Sequence, residues 1–334
     1  MIEDISQFTN DGYWWEEAGL DQSPSMLIKM YHEHDGHTRW QMPDIEALEG
    51  WKQARNIFLF ECEGWADVSR LRDPRVHLFQ SGKLDHPRWH FFPFWIEYVQ
   101  RAEKEVNYHQ LLDYTQQREY WFDALLGAPR TARRWLYNRI VNSEYRDRFI
   151  LNMYGQEAVH GTEHYNVTNW LTGHDLDDSY SYRTEVDGLP HEVNIDSLLP
   201  YRIYNQSWFS VISETHDHAS IPIITEKTAK CLLGRRLFIH FGNTGIIELL
   251  KQVGFKTFDC VIDESYDQEP DPDRRLEMAW QQVELIMQQD PKEIIQKCQK
   301  VFDHNQDIVL NYNYDSYIIK ELARLDTNNG NPLP

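Results

Sequence analysis

The sequence predicts a two-domain α/β protein in which at least one domain resembles a Rossmann fold. The chain has 334 residues, which is long for a single ordinary core. From residue 208 onward, short apolar runs typical of buried strands alternate with helical segments that end at glycine. Strands that alternate with helices at this spacing predict a parallel sheet with right-handed crossovers.

In the first half of the chain, apolar runs end in turn residues. Pro129 lies in the first turn of a predicted helix, and Pro93 indicates an edge strand or a strand end. The predicted strands are 56–64, 76–82, 89–95 and 149–154, and the predicted helix is 129–141.

A polar, weakly periodic stretch at 156–200 predicts an irregular connection between two lobes. We therefore expect two domains, over 1–155 and 156–325. The segment 326–334 is expected to be a disordered tail.

The second half carries the stronger pattern. Thr225 has the residue type and position of a helix N-cap. Gly234 stands in the C-cap position of the same helix. The predicted strands are 208–213, 237–241 and 255–262, and the predicted helices are 226–233, 246–253, 271–289 and 291–302.

The charge balance narrows the range of partners. The chain has 53 acidic and 33 basic residues and a formal net charge of -20. Because phosphate backbones require broad basic surfaces, nucleic-acid binding is disfavoured.

No apolar run is long enough to span a membrane, and no signal peptide is visible at the acidic start. Four scattered cysteines indicate reduced thiols, so a cytoplasmic location is expected, in the host cell if the protein is viral.

A basic run interrupts this acidic background. Lys227, Lys230, Arg235 and Arg236 lie within ten positions. The helix that starts after Thr225 presents free N–H groups at the end of a strand, and Lys227 adds a full charge there, which suits a diphosphate. The alternative is a solvated helix surface followed by a loop.

The segment around this run resembles the donor-binding signature of the inverting α-1,3-fucosyltransferases. Ser213-Glu214-Thr215 stands where that family has Glu-Asn-Ser, Ile224-Thr225-Glu226-Lys227 matches its Ile-Thr-Glu-Lys step, and Gly234 matches its glycine. The resemblance implies a GT-B-like fold, with two Rossmann-like domains facing each other across a cleft. It implies that the N-terminal domain (1–155) lies on the acceptor side and that the C-terminal domain (156–325) binds the nucleotide sugar. It also implies that Ser213, Glu214, Thr225, Glu226 and Lys227 bind a nucleotide-diphosphate sugar as substrate, with no cofactor.

The resemblance is firm over roughly 35 residues. Pro222-Ile223 replaces the family's Asp-Tyr, so the donor base stays open, although a GDP-sugar is the family's donor. The segments 122–127, 254–259 and 262–267 are similar to glycosyltransferase-like proteins of bacteriophages.

A second basic cluster, Arg130, Arg133, Arg134 and Arg139, follows Gly127. Arg130 and Arg134 are four residues apart and share one helix face. The fucosyltransferase layout implies that an arginine of the N-terminal lobe contacts the donor phosphate, and we expect Arg130 to take this role. The alternative is an exposed basic helix face.

Glu61 and Glu63 end the first predicted strand on one side of it. Either carboxylate could be the general base that inverting transfer requires; the alternative is a pair of ordinary loop carboxylates.

The histidines His32, His34 and His37 have the spacing of metal ligands, but the sequence offers no second group of ligands for them. Since no Asp-x-Asp follows an early strand, metal-independent chemistry is expected.

Three functions remain open from the sequence. The first is a glycosyltransferase that acts on a glycan or small-molecule hydroxyl. The second is a phage transferase that acts on DNA bases, against which the acidic balance argues. The third is a non-catalytic relative that binds a nucleotide or a protein.

Overall fold

A computed structural model describes residues 16–20, 25–29, 52–61, 71–153, 156–157, 159–160, 181–186, 189–194, 197–214 and 221–327. The chain divides into two compact units, Met1–Phe94 with Asn313–Pro334 (unit 1) and Trp95–Tyr312 (unit 2). Each unit contains a parallel sheet of four strands. The predicted α/β class is confirmed.

The strands and helices are numbered in chain order. The strands are β1 (Met26–Lys29), β2 (Ile57–Glu61), β3 (Val76–Gln80), β4 (Trp89–Phe91), β5 (Tyr120–Leu125), β6 (Phe149–Asn152), β7 (Ser181–Val186), β8 (Leu189–Asn194), β9 (Ser207–Ile212) and β10 (Phe238–His240). The α-helices are α1 (Phe94–Val106), α2 (Thr131–Val141), α3 (Tyr201–Tyr204), α4 (Glu226–Leu233), α5 (Ile246–Gln252), α6 (Pro272–Met287), α7 (Pro291–Asn311) and α8 (Tyr314–Thr327).

Unit 1 is built on the sheet β1-β2-β3-β4, in which neighbours in sequence are neighbours in space. Successive side chains of β2 point to opposite faces, so both faces carry buried apolar residues. Phe58, Phe60 and Phe79 pack with Ile318 and Leu322 of α8 in one core cluster. The last helix of the chain therefore belongs to the core of the first sheet.

Unit 2 is built on the sheet β10-β9-β5-β6. All residues of β9 are buried, as expected for a central parallel strand with both faces covered. Arg236, just before β10, is 1% exposed. Its guanidinium pairs with Asp123 of β5 and donates a hydrogen bond of 2.8 Å to the Ser207 hydroxyl of β9. This buried pair ties the start of β10 to both central strands.

The observed division of the chain differs from the predicted boundary at residue 155. Strands β5 and β6 precede that residue, yet they pair with β9 in the sheet of unit 2. The physical reason is that Phe122 packs on Phe149 and Phe209, which encloses β5 between strands from both sides of the polar stretch. Within that stretch, β7 and β8 form an antiparallel hairpin.

Two further predictions fail in part. The segment 255–262 contains turns and no strand, because Phe258 packs edge-on against Phe238 and also against Phe302 without joining the sheet. The expected tail begins inside α8, where Asp326 accepts a hydrogen bond of 2.6 Å from Ser25. Residues 328–334 lie outside the described residues.

None of the helices that the structure describes has the length and apolar character needed to cross a membrane.

Candidate functional site

The two central strands of unit 2, β5 and β9, are followed by connections that lead to opposite sides of the sheet. After β5 the chain passes through α2 to β6 on one side, and after β9 it passes through α4 to β10 on the other. Because the strands are parallel, α2 and α4 both start at the carboxyl edge of the sheet. Ligands of open parallel sheets bind in the crevice at such a topological switch point. We name the residues at this point the switch-point site: Arg133, Ser213, Glu214, Thr225, Glu226 and Lys227.

Thr225 caps α4, as the sequence predicts. Its backbone is extended, with φ -109°, and its hydroxyl accepts a hydrogen bond of 3.3 Å from the backbone N–H of Lys227. The same hydroxyl donates to the carboxylate of Glu214. The cap therefore stabilises the helix start and connects it to the strand that precedes it.

Glu214 joins the two segments that carry the fucosyltransferase resemblance. Its side chain is buried and accepts hydrogen bonds from the Thr228 hydroxyl at 2.7 Å and from the Thr225 backbone N–H at 3.4 Å. Burial raises the pKa of Glu214, an effect that Lys227 opposes. The structure thus brings together Ser213-Glu214 and the segment 225–227 through one carboxylate.

Lys227 forms an ion pair with Glu226 in the first turn of α4. Burial opposes the charge of Lys227, but attraction by Glu226 and Glu214 outweighs burial and raises the pKa of the ammonium. Burial likewise opposes the charge of Glu226, whose pKa Lys227 and Lys230 nevertheless hold below the usual value. Lys227 therefore remains a cation at neutral pH, between two acidic residues.

Arg133 supplies a second cation from the other side of the switch point. Its side chain is buried, and its Nε donates to the backbone carbonyl of Ser213 at 3.2 Å. Its Nη1 donates to the carbonyl of Ala128 at 3.0 Å, near Gly127, whose φ of 60° turns the chain from β5 toward α2. Arg133 therefore bridges the ends of both central strands.

The two sequence-predicted arginines lie at the start of α2, the helix that begins at the same edge of the sheet. Arg130 is the N-cap residue of α2 without a side-chain capping bond, and Arg130 and Arg134 are both exposed. Of this basic cluster, Arg133 points toward Ser213. The helical periodicity of the sequence could have indicated this difference. Arg133 lies one residue before Arg134, so its side chain points about 100° away from the helix face that Arg130 and Arg134 share.

Two buried polar atoms near this edge have no hydrogen-bond partner among the described residues. They are the Ser213 hydroxyl, directly after β9, and Nε2 of His240, the last residue of β10. Burial lowers the pKa of His240 to about 3, and Arg275 adds to this effect. The imidazole is therefore neutral at ordinary pH and able to donate or accept one hydrogen bond.

The remaining arginines of the basic run have structural contacts. Arg235 pairs with Asp303 at 2.6 Å and lies over the Tyr114 ring. Arg236 contacts Ser207, the first residue of β9, and so lies toward the opposite end of the sheet. The basic run thus divides between two lysines, Lys227 at the switch-point site and Lys230 acting on Glu226, and two arginines that hold the fold together.

The predicted base candidates belong to unit 1. Glu61, at the end of β2, is 1% exposed and accepts a hydrogen bond of 2.7 Å from Gln80. Glu63 and the histidines His32, His34 and His37 lie outside the described residues. Among the residues that are described, no group of three or more potential ligands is placed to hold a metal ion.

Comparisons with known proteins add no assignment: no family model matches the sequence, and neither a curated protein nor a solved structure matches it. The site is therefore interpreted from its own chemistry. It combines a helix N-terminus, the buried cation Arg133, the partly exposed cation Lys227 and two buried carboxylates at a sheet edge where parallel folds bind ligands.

Proposed function

We propose that the protein is a glycosyltransferase that moves a sugar from a nucleotide-diphosphate sugar to a hydroxyl of a glycan or small molecule, with inversion and without a metal ion. One observation carries the proposal. The two segments that resemble the fucosyltransferase donor signature lie together at the topological switch point, joined by hydrogen bonds from Thr225 and Thr228 to Glu214.

The charges of the switch-point site suit a diphosphate. Lys227 and Arg133 provide two cations, and the start of α4 adds the partial positive charge of a helix N-terminus. As the sugar leaves, negative charge grows on the diphosphate, and cations already held in place stabilise it without reorganisation. The site therefore matches the electrostatic demand of the leaving group.

The raised pKa of Glu214 adds a specific expectation. Burial already favours the protonated carboxyl, and Lys227 opposes this effect. A diphosphate that draws Lys227 toward itself weakens that opposition and brings further negative charge, so both effects raise the pKa again. Donor binding is therefore expected to be accompanied by proton uptake.

Calorimetry tests the proposal directly. GDP, UDP and ADP are titrated into the full chain, each in two buffers of different ionisation enthalpy. We expect at least one of them to bind, with an apparent enthalpy that depends on the buffer because a proton is taken up. Mass spectrometry of the matching nucleotide sugars then detects turnover. If no nucleoside diphosphate binds, the proposal is wrong.

Matched arginine variants locate the site. Arg133→Ala is expected to weaken binding strongly, whereas the exposed Arg130 should contribute less than the resemblance implies. Lys300→Met, an exposed position on α7, serves as the control for loss of one positive charge. Equal effects of Arg133→Ala and Lys300→Met would argue against a site at the switch point.

A further inference from the structure

A cavity lies in unit 2, between α2 and α6. Its volume is about 530 Å³, within the size range of small-molecule sites. The helical residues that line it recur at intervals of three or four, so each helix presents one continuous face. We name this cavity the α2–α6 groove; its main lining residues are Trp135, Asn138, Arg139, Glu277, Trp280 and Glu284.

The polar side chains of the groove are held in place by one another. Arg139 donates to Glu277 at 2.8 Å, and its guanidinium lies 5.4 Å from the centroid of the Trp280 ring. The indole N–H of Trp280 donates to Glu284 at 2.7 Å. These contacts leave the groove with oriented carboxylates on one wall and an oriented guanidinium opposite them.

Some hydrogen-bonding capacity of the groove stays unused. The buried Nε of Arg139 has no partner among the described residues. Asn138 is exposed at the groove, and Trp135 is partly exposed beside it. Buried donors without partners are rare because they cost free energy, so this wall favours a ligand that brings hydrogen-bonding oxygens.

The charges exclude an anion as the preferred ligand. Glu144, Glu277 and Glu284 line the groove against the single guanidinium of Arg139. Arg139 already occupies the positions at Glu277 and over Trp280 that would otherwise attract a cation. The carboxylates of Glu144 and Glu284 and the side-chain amide of Asn138 line the same groove. Carboxylate and amide groups beside an indole ring suit the hydroxyl groups and the apolar face of a sugar ring.

We propose that the α2–α6 groove binds a neutral carbohydrate of one or two sugar rings. The apolar face of a sugar ring packs on Trp135, while its hydroxyls bond to Asn138 and Glu284. This inference rests on the groove alone and holds whether or not the chain transfers sugar. The groove residues are distinct from those of the switch-point site.

Ligand-detected NMR tests the inference on the full chain. Maltose, cellobiose and lactose are screened by saturation transfer, with tetramethylammonium and methyl phosphate as cationic and anionic probes. We expect transfer to at least one disaccharide and none to either ion at the groove. No transfer to any disaccharide, or competition by tetramethylammonium, would overturn the inference.

Variants separate the groove from the other site. Asn138→Ala, at an exposed position, and Glu284→Gln should each weaken disaccharide binding about tenfold, as expected for loss of a good hydrogen bond. Trp135→Ala should abolish binding, but Trp135 also contacts Phe241, so its folding is checked by circular dichroism. Asn311→Ala on α7 is the matched control, and Lys227→Met should leave disaccharide binding unchanged. Unaltered binding by both Asn138→Ala and Glu284→Gln would contradict the assignment.

Discussion

The hydroxyl of Thr228 donates a hydrogen bond of 2.7 Å to the buried carboxylate of Glu214, which fastens the first turn of α4 to the end of β9. Thr225 makes a second such connection through its own hydroxyl. The carboxylate therefore receives donors from two positions on the same helix turn. This arrangement sets where the helix N-terminus points and hence where an anion would bind.

Replacing Thr228 by valine should destabilise the protein by about 1–3 kcal/mol, because a buried carboxylate then loses a donor while the shape of the side chain is kept. Thr228 is completely buried. Urea denaturation measures the change in the free energy of unfolding. Thr327→Val, at an exposed helical position, is the control and should change stability little. Equal stability of wild type and Thr228→Val would show that this bond is not important.

Replacing Lys227 by methionine should weaken nucleoside-diphosphate binding by about 1.5–3 kcal/mol, the usual range for a hydrogen bond to a charged group. The ammonium is held between Glu226 and Glu214, which keep it charged. Calorimetry on the folded variant measures the affinity, and Lys300→Met is the control. Unchanged affinity of the Lys227 variant would remove it from the proposed donor site.

A variant that lacks the general base should show a kinetic signature different from that of the Lys227 variant. If Glu61 or Glu63 takes the acceptor proton, its glutamine variant should bind donor normally while transfer falls by about 10²–10⁴. Glu61 already accepts a hydrogen bond from Gln80, so Glu61→Gln also tests whether that contact tolerates an amide. Single-turnover transfer and donor affinity are measured side by side. Wild-type transfer rates in both variants would place the base elsewhere.

Asp267 should make stability depend on pH. It caps α5 through the N–H groups of Ile246 at 3.0 Å and Ile247 at 3.2 Å, and burial raises its pKa from 3.8 to about 6. The folded state then binds the proton more tightly than the unfolded state. The stabilisation from protonation is fully present below pH 3.8 and is lost as the pH rises through about 6.

Asp267→Asn should remove this dependence. Urea midpoints of wild type and variant are compared between pH 4 and 6.5, and their difference isolates this group from the other carboxyls. Relative to the variant, the wild type should lose stability as the pH rises across this range. Parallel pH profiles would show that Asp267 titrates normally.

Gly234 should resist substitution for a steric reason. A Cβ at this position would lie 2.8 Å from Cε2 of Tyr204, while the φ of Gly234 is an ordinary -77°. Gly234→Ala should therefore cost about 1–3 kcal/mol through overpacking. In a Tyr204→Leu background the same change should cost less, which a double-mutant cycle measures. The same cost in both backgrounds would exclude the ring as the cause.

The helix after Thr225 ends in a way that the sequence does not predict. Gly234 is the C-cap residue, but the left-handed conformation falls on Arg235, with φ 55°. The backbone N–H of Arg236 donates to the carbonyl of Cys231, which closes the turn. The glycine signal located the helix end correctly, although its cause is the packing of Tyr204 and not the backbone angle.

Short-range rules determined the elements that carry the site. The cap at Thr225 and the buried strand before it follow from residue type and local periodicity, because helix starts and buried strands depend on neighbours within a few positions. The parallel pairing of β9 with β10 is predicted from the alternation of strand and helix, since a helical crossover returns the chain to a parallel strand. The placement of Lys227 in the first turn follows from the cap. The sequence thus named five of the six residues of the switch-point site: Ser213, Glu214, Thr225, Glu226 and Lys227.

Only the tertiary structure decided the sixth residue, Arg133, and the order of the strands. That β5 lies beside β9, and that Arg133 rather than Arg130 reaches Ser213, depends on strand order and helix orientation across about 80 intervening residues. Local periodicity carries no information on which sheet a strand joins; here the packing of Phe122 between Phe149 and Phe209 decides it. Long-range packing also places α8 in unit 1, because Ile318 and Leu322 of that helix are buried in one cluster with Phe58, Phe60 and Phe79.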